Sequence, residues 1–333
     1  MRLTKLLAAT LLGLATTLAA QAQDLTLRFG HVVQPGHPIS GGTQKLGEIL
    51  AAKSGGRIKV QELGGGSVGG EAQQLSAVQG GIQDMTLPSA TIMGGVIKEF
   101  TLLDIPFSFG SAQQVDALLQ GPFGQLLMSK LADKGMVGLD FWETGFRNFT
   151  NSRKPIVAVE DLKGLKLRVI PNPMFLESFA ALGANPVPMA FPELYGALES
   201  KAMDAQENPF SVVLTSKFFE VQKFLSVTNH VYTANPVVIS KRTWDKLSAA
   251  DQKLVREAVQ EAGAFQRKFS RDAAAGARKE LESRMQVNDV PPATLARMRD
   301  LTRPVGEKFA ASYDPAVVKV YRAELEKVHA TVR

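Results

Sequence analysis

Residues 25–88 read LTLRFGHVVQPGHPISGGTQKLGEILAAKSGGRIKVQELGGGSVGGEAQQLSAVQGGIQDMTLP, and this stretch decides the fold class. Leu25-Thr26-Leu27-Arg28-Phe29 alternates apolar and polar residues, which predicts a strand. His31 to Pro38 holds two prolines and a glycine and reads as a loop. Residues 39–54 carry a helical pattern that stops at Gly55-Gly56. Arg57-Ile58-Lys59-Val60 is a second alternating strand. A glycine-rich loop, Gly64 to Gly70, then opens a short helix near Glu71 to Val78. Met85-Thr86-Leu87 is a third strand, ended by Pro88. The β-α-β-α-β order predicts an α/β fold with a parallel sheet and helices on both faces.

Working outward, a helix is expected around 112–134 and a strand from Val137 to Trp142. Another strand is expected at Lys166 to Val169, with Pro171 and Pro173 opening a helix and Pro192 opening one more. Phe224 to Tyr232 reads as extended, and Val237 to Ser240 as a strand. Ser248-Ala249-Ala250-Asp251 is a capping box that starts a helical pattern running to about Arg284. At 1.5 Å per residue such a helix is about 50 Å long, wider than one domain, so it is expected to cross two. A length of 333 residues fits two domains, and the lack of a linker predicts that the chain passes between them more than once.

Upstream of this, residues 1–22 read as a secretory signal. Arg2 and Lys5 form the basic start, Leu6 to Leu18 the apolar run, and Ala20-Gln21-Ala22 the cleavage pattern. Cleavage removes two basic residues and no acid, leaving a mildly basic chain expected in the periplasm. The densest basic run, Arg267 to Lys279, alternates with acids on a helix, so nucleic acid is not an expected partner. With no cysteine, disulfides, thiolate metal sites and thiol catalysis are excluded. No cofactor or metal is expected, and the protein is expected to be a monomer.

Two catalytic patterns share the glycine-rich loop. Gly64, Gly66 and Gly69 match G-x-G-x-x-G, with Asp84 downstream. The loop follows the second strand rather than the first, which argues against a dinucleotide site. Gly65, Ser67 and Gly69 match the G-x-S-x-G elbow of serine hydrolases, with His230 and His329 as the later histidines. An exported hydrolase using Ser67 is therefore the rival reading. His31 and His37, with Glu71, have no metal-ligand spacing, and His31 reads as a polar cleft residue. Trp142 reads as core or hinge packing.

A different signal lies in the middle of the chain. Arg147 follows one expected strand, Arg168 ends another, and Asn208 stands at the end of a third. Open α/β sheets bind ligands outside the carboxyl ends of their strands. Two guanidinium forks with an amide form a carboxylate site.

The segment Asp161-Leu162-Lys163-Gly164-Leu165-Lys166-Leu167-Arg168, then Leu182-Gly183-Ala184-Asn185-Pro186-Val187-Pro188, resembles the extracytoplasmic solute receptors of TRAP transporters, the DctP family. Glu193-Leu194-Tyr195, Met203-Asp204, Glu207-Asn208-Pro209, Phe219-Glu220-Val221-Gln222-Lys223 and Thr228-Asn229-His230 continue the resemblance in order. It implies a two-lobed periplasmic binding protein fold with mixed, mostly parallel sheets, a hinge and a long helix spanning both lobes. On this chain the lobes are expected at 23–144 plus 234–275 and at 145–233 plus 276–333. The resemblance implies no catalysis. It implies capture of a small organic acid for delivery to a membrane permease. The family's carboxylate-binding arginine falls on Arg168, its second arginine on Arg147, its asparagine on Asn208 and its ring-packing aromatic on Phe191. Asn148 and Asn151 are expected to add polar contacts, with His31, Gln34, Glu71 and Ser89 as selectors from the first lobe. Sialic-acid receptors carry an acid where this chain has Ser89, which disfavours sialic acid. A hydroxylated monocarboxylate, such as a uronate or aldonate, fits paired arginines and polar selectors. A C4-dicarboxylate would want a further cation, and an aromatic oxo-acid would want Phe107 and Phe109 as selectors.

Overall fold

The computed structural model describes residues 24–332; the export segment expected over residues 1–22 lies outside them. The strands are β1 (Leu25–Gly30), β2 (Ile58–Leu63), β3 (Met85–Thr86), β4 (Met136–Phe146), β5 (Asn148–Asn151), β6 (Lys166–Val169), β7 (Asn185–Pro188), β8 (Ala205–Asn208), β9 (Phe224–Val227), β10 (Tyr232–Ser240) and β11 (Gln286–Asp289). They form two sheets, in the orders β2-β1-β3-β10-β4 and β11-β9-β5-β8-β6-β7.

The opening β-α-β-α-β unit forms as its periodicity predicts. β1 runs parallel to β2 and β3, pairing Leu27 with Val60 and Phe29 with Met85. Leu27 and Phe29 point into the core, while Arg28 points outward and its Nε meets Asp84 Oδ2 at 2.9 Å. Helix Pro38–Ser54 starts where His37 Nδ1 accepts the Ile39 N–H and stops at Gly55, whose φ of 66° is left-handed.

The sheet is not wholly parallel, because β10 pairs antiparallel with both β3 and β4. The cause is connectivity. The chain leaves the first sheet along β4 into β5 and returns from β9 along β10, so the outgoing and returning strands oppose each other. The extended stretch expected over 224–232 is broken at this crossing. Asn229 is left-handed there, with a φ of 45°, and Asn148 Oδ1 accepts the N–H groups of Thr228 and Asn229 at 2.9 and 3.0 Å.

The helix expected around 112–134 is divided into Ala112–Gln120 and Pro122–Ser129. Pro122 lacks an N–H and holds Gly121 in an extended conformation, which ends the first helix. The C-terminal helix Pro315–Thr331 packs on this pair, with Tyr321 against Phe123 at 5.1 Å. It therefore joins the first sheet's core, although residues 276–333 were grouped with the second lobe. Helix Pro292–Ala311 packs on helix Pro173–Ala181 beside the second sheet.

Helix Ala249–Glu282 does cross between the layers. Ser248 Oγ caps it by accepting the Asp251 N–H at 3.1 Å. Its first half buries Val255, Ala258, Val259 and Ala262 against the first sheet. Gly263 is required there, since a Cβ would lie 1.9 Å from Asp140 Oδ2. At the far end Leu281 packs with Val212 and Leu225 of the second sheet's core. Among the described residues no helix is long and apolar enough to cross a membrane.

Candidate ligand-binding site

Arg168 is placed by strand alternation. Leu167 and Val169 enter the core of the second sheet, so Arg168 points to the opposite face, toward the cleft between the sheets. It is only 2% exposed. Its Nε donates to Met189 O at 2.9 Å, and its guanidinium lies 5.9 Å from the Phe191 ring centroid. Neither Nη atom bonds a protein group among the described residues. Burial and the neighbouring Arg147 lower its pKa to about 10, so it remains charged at neutral pH. This is a desolvated cation with an open fork.

Arg147 is differently engaged. It sits where β4 passes into β5, with its N–H bonded to Val231 O at 2.8 Å. Its Nε and Nη2 chelate the buried Glu207 carboxylate, and its Nη1 donates to Thr233 Oγ1 at 3.1 Å. His230 Nε2 meets the same carboxylate at 3.2 Å, and the imidazole stacks on Phe149 at 4.5 Å. Burial alone would raise Glu207, but the Arg147 charge and the bonds from His230 and Arg147 outweigh it and hold the carboxyl low. Burial keeps His230 neutral by lowering its pKa, against the upward pull of Glu207. Arg147 Nη2 also donates to the Glu207 backbone carbonyl; a guanidinium has five N–H donors, and these four bonds leave Arg147 one, on Nη1, for anything in the cleft. Its charge is already matched.

The two arginines, Asn208, Phe191, Glu71 and Ser89 all line one cavity of about 40 Å3. Glu71 opens helix Glu71–Gly80 and accepts from the Ser89 hydroxyl at 2.9 Å and the Ser89 N–H at 3.2 Å. Burial pushes its carboxyl up in spite of those bonds. An adjoining space of about 270 Å3 shares Arg168, Glu71, Ile170 and Phe191 with this cavity.

Four expected contributors lie elsewhere. His31 is buried with Nε2 on Glu62 Oε1 at 2.9 Å, its ring beneath Gly64. Asn148 spends its carbonyl oxygen on the crossing at 228–229. Asn151 accepts the N–H groups of Arg153 and Lys154 at 2.8 and 2.9 Å, bracing a turn. Gln34 lines a neighbouring groove of about 380 Å3 with Phe191 and Pro192. Conversely, Thr144, Thr233 and Asn235 line the cavity and were not singled out from the sequence. Thr233 and Asn235 alternate with Ala234 along β10, a polar i, i+2 pair ahead of the apolar run Pro236 to Ile239 that could have marked them.

No catalytic constellation forms among the described residues. The Ser67 hydroxyl is exposed and has no hydrogen-bond partner among the described residues, so nothing activates it. His37 is occupied by its helix cap and by Ser211, and the described residues contain no cluster of metal-ligating side chains. Trp142 packs in the core against Phe29 at 5.9 Å.

The cleft between the two sheets holds one open guanidinium fork among hydroxyl and amide groups, an arrangement that suits a small organic anion. The comparisons agree. The model of bacterial extracellular solute-binding protein family 7, DctP, matches residues 29–312. The 2,3-diketo-L-gulonate-binding periplasmic protein YiaO of Escherichia coli is 38% identical over 257 residues, covering 77% of this chain and 78% of that protein. The sugar acid binding protein of Advenella mimigardefordensis, solved with galactonate, superposes with a TM-score of 0.90 at 36% identity, covering 92% of this chain and 99% of the other. A receptor from Polaromonas sp. JS666 bound to D-erythronate gives 0.85 at 34% identity, covering 90% and 98%.

The chain therefore belongs to the DctP family, the periplasmic solute-binding proteins of TRAP transporters. It is a binding protein for organic acids and not an enzyme.

Proposed function

We propose that this receptor captures a hydroxylated monocarboxylate of the sugar-acid class, an aldonate or uronate, and passes it to a TRAP permease. The observation that carries this reading is the charge count of the cavity. Arg147 is matched by Glu207, so Arg168 supplies the one uncompensated cation among the lining residues. One carboxylate is accommodated by its fork. A second carboxylate would meet Glu71, and like charges juxtaposed in a closed site cost several kcal/mol. Glu71, Ser89, Asn208, Asn235 and Thr233 suit hydroxyl groups instead. In this reading Phe191 packs on the carbon chain, and the adjoining space of about 270 Å3 takes the tail. The sugar acids bound by the E. coli, Advenella and Polaromonas relatives support the class.

A thermal-shift panel tests it. A ligand that binds only the folded form adds RT ln(1 + [L]/Kd), about 4 kcal/mol at 1,000 times Kd. D-Galactonate and D-galacturonate should raise the melting temperature, and D-galactose and succinate should not. A shift from succinate as large as from the sugar acids would replace the proposed class with dicarboxylates. A shift from galactose would remove the carboxylate from the argument.

A further inference from the structure

Thr144 reaches the cavity through an irregularity in the first sheet. β4 and β10 pair Gly145 with Thr233 and Glu143 with Ala234, so the register skips Thr144. The extra residue of such a bulge is re-aimed relative to its strand. Here it lines the cavity beside Arg168, together with Asn235 of β10.

The two side chains fix each other's hydrogens. Thr144 Oγ1 lies 2.6 Å from Asn235 Oδ1. An amide oxygen only accepts, so this bond takes the single Thr144 proton. The other side of the amide sets its orientation, because Asn235 Nδ2 donates to Leu87 O at 3.4 Å. Turned over, the amide would hold two carbonyl oxygens against each other. Thr144 is therefore left with lone pairs and no proton, and Asn235 with one N–H that meets no acceptor among the described residues. An acceptor and a donor side by side are matched by a group that does both, which is a hydroxyl. A carbonyl or ether oxygen offers lone pairs only and leaves Thr144 unmet.

We propose that Thr144 and Asn235 read the carbon next to the ligand's carboxylate and select a hydroxyl there, which makes the ligand an aldonate rather than a uronate. This selectivity rests on the sugar-acid reading and on a carboxylate seated at Arg168. The cavity of about 40 Å3 that holds Arg168 also holds this pair, so a carboxylate on the fork brings its first carbon beside them. In an open-chain aldonate that carbon carries a hydroxyl. In the pyranose ring of a uronate it carries the ring oxygen, which has no proton.

Calorimetric titration of D-galactonate, 2-deoxy-D-galactonate, D-galacturonate and succinate tests this. Loss of the 2-hydroxyl removes two net hydrogen bonds, so 2-deoxy-D-galactonate should bind the wild type roughly 5- to 150-fold more weakly than D-galactonate. D-Galacturonate keeps the bond from Asn235 and loses the one to Thr144, and should be weaker by roughly 2- to 10-fold. Thr144→Val keeps the shape and removes the acceptor. It should weaken D-galactonate and spare 2-deoxy-D-galactonate, shrinking their ratio by roughly 2- to 10-fold, and Thr144→Ser should restore the ratio. A hydroxyl that served only the packing of the bulge would weaken both acids alike. The wild-type comparisons need no variant to fold. The pair is overturned if 2-deoxy-D-galactonate or D-galacturonate binds the wild type as tightly as D-galactonate, within about twofold, or if Thr144→Val leaves the ratio unchanged. Binding of D-galacturonate without D-galactonate overturns the pair while the sugar-acid class stands, and binding of succinate alone overturns both.

Discussion

Replacing Arg168 with alanine should abolish most of the acid affinity while leaving the free protein folded. The guanidinium is 2% exposed, held by one bond to Met189 O, and its charge meets no acid in an ion pair. Removing one partner of a buried charge pair costs about 2–5 kcal/mol, because the ligand carboxylate is left desolvated and unpaired. At 1.4 kcal/mol per tenfold, that is a loss of roughly 30- to 4,000-fold. Arg168→Lys should recover little, since an ammonium lacks the planar fork. Arg147 makes the informative contrast. Its Ala variant leaves Glu207 as a buried, uncompensated charge, and breaking such a pair costs about 3–5 kcal/mol of stability. Arg168→Ala should thus read mainly in titration calorimetry, and Arg147→Ala mainly in urea unfolding of the ligand-free protein. Circular dichroism confirms that each variant is folded. If folded Arg168→Ala binds D-galactonate within about threefold of wild type, the carboxylate is held elsewhere and the assignment of the fork is refuted. If the two variants lose equal stability, the argument from the Glu207 pairing is refuted.

Two further outcomes are expected. Ser67→Ala should change affinity and stability by less than about 0.5 kcal/mol, as for an ordinary exposed position, and the wild type should not hydrolyse a p-nitrophenyl ester; turnover lost in this variant would restore the hydrolase reading. Asp104 is fully buried with neither carboxyl oxygen hydrogen-bonded, and burial pushes its pKa up to about 8. The folded state keeps a proton that an unfolded carboxyl loses near pH 4, so its contribution is whole below about pH 4 and is lost as pH rises through about 8. The melting temperature of Asp104→Asn should therefore gain on the wild type as pH rises from about 5 to about 9, and parallel curves would contradict this.

How far the sequence reading reached depended on the range of the interaction. Arg168 was legible from its place at a strand end and from the family motif over 161–168, and alternation between the buried Leu167 and Val169 is what turns it to the other face. The first sheet's β-α-β-α-β unit was legible for the same reason, together with the glycine stop at Gly55. The neutralisation of Arg147 was not legible, since Glu207 lies 60 positions away and the pairing exists only once β5 lies beside β8. His31 stands in the loop after the first strand and Asn148 and Asn151 stand beside Arg147, but His31 Nε2 is taken up by Glu62, Asn148 Oδ1 by the crossing at 228–229 and Asn151 Oδ1 by a turn at 153–154. A buried polar group must first satisfy its own surroundings, and only the remainder can meet a ligand. The layer that receives helix Pro315–Thr331 was equally hidden, because an amphipathic pattern says that one face is buried and not against what.

The way the proposed site is divided between the sheets sets a condition on ligand length. Arg168 and Asn208 ride on the second sheet, whereas Glu71 and Ser89 ride on the first. A ligand shifts a conformational equilibrium only by the difference between its affinities for the two states. An acid that reaches Arg168 alone gains the same contacts with the cleft open or closed, and so cannot draw the sheets together. One whose carboxylate sits on Arg168 while its hydroxyls reach Glu71 gains its second set of contacts only on closure. The cavity of about 40 Å3 has room for about three waters at 10–15 Å3 each, which suits a carboxylate and its first carbons. The remainder of a five- or six-carbon acid would then occupy the space of about 270 Å3 next to it, where Gly66, Pro192 and Glu193 form part of the wall. On the proposed placement, closure energy would therefore grow with the part of the ligand that lies beyond the carboxylate, which is the part that distinguishes one sugar acid from another.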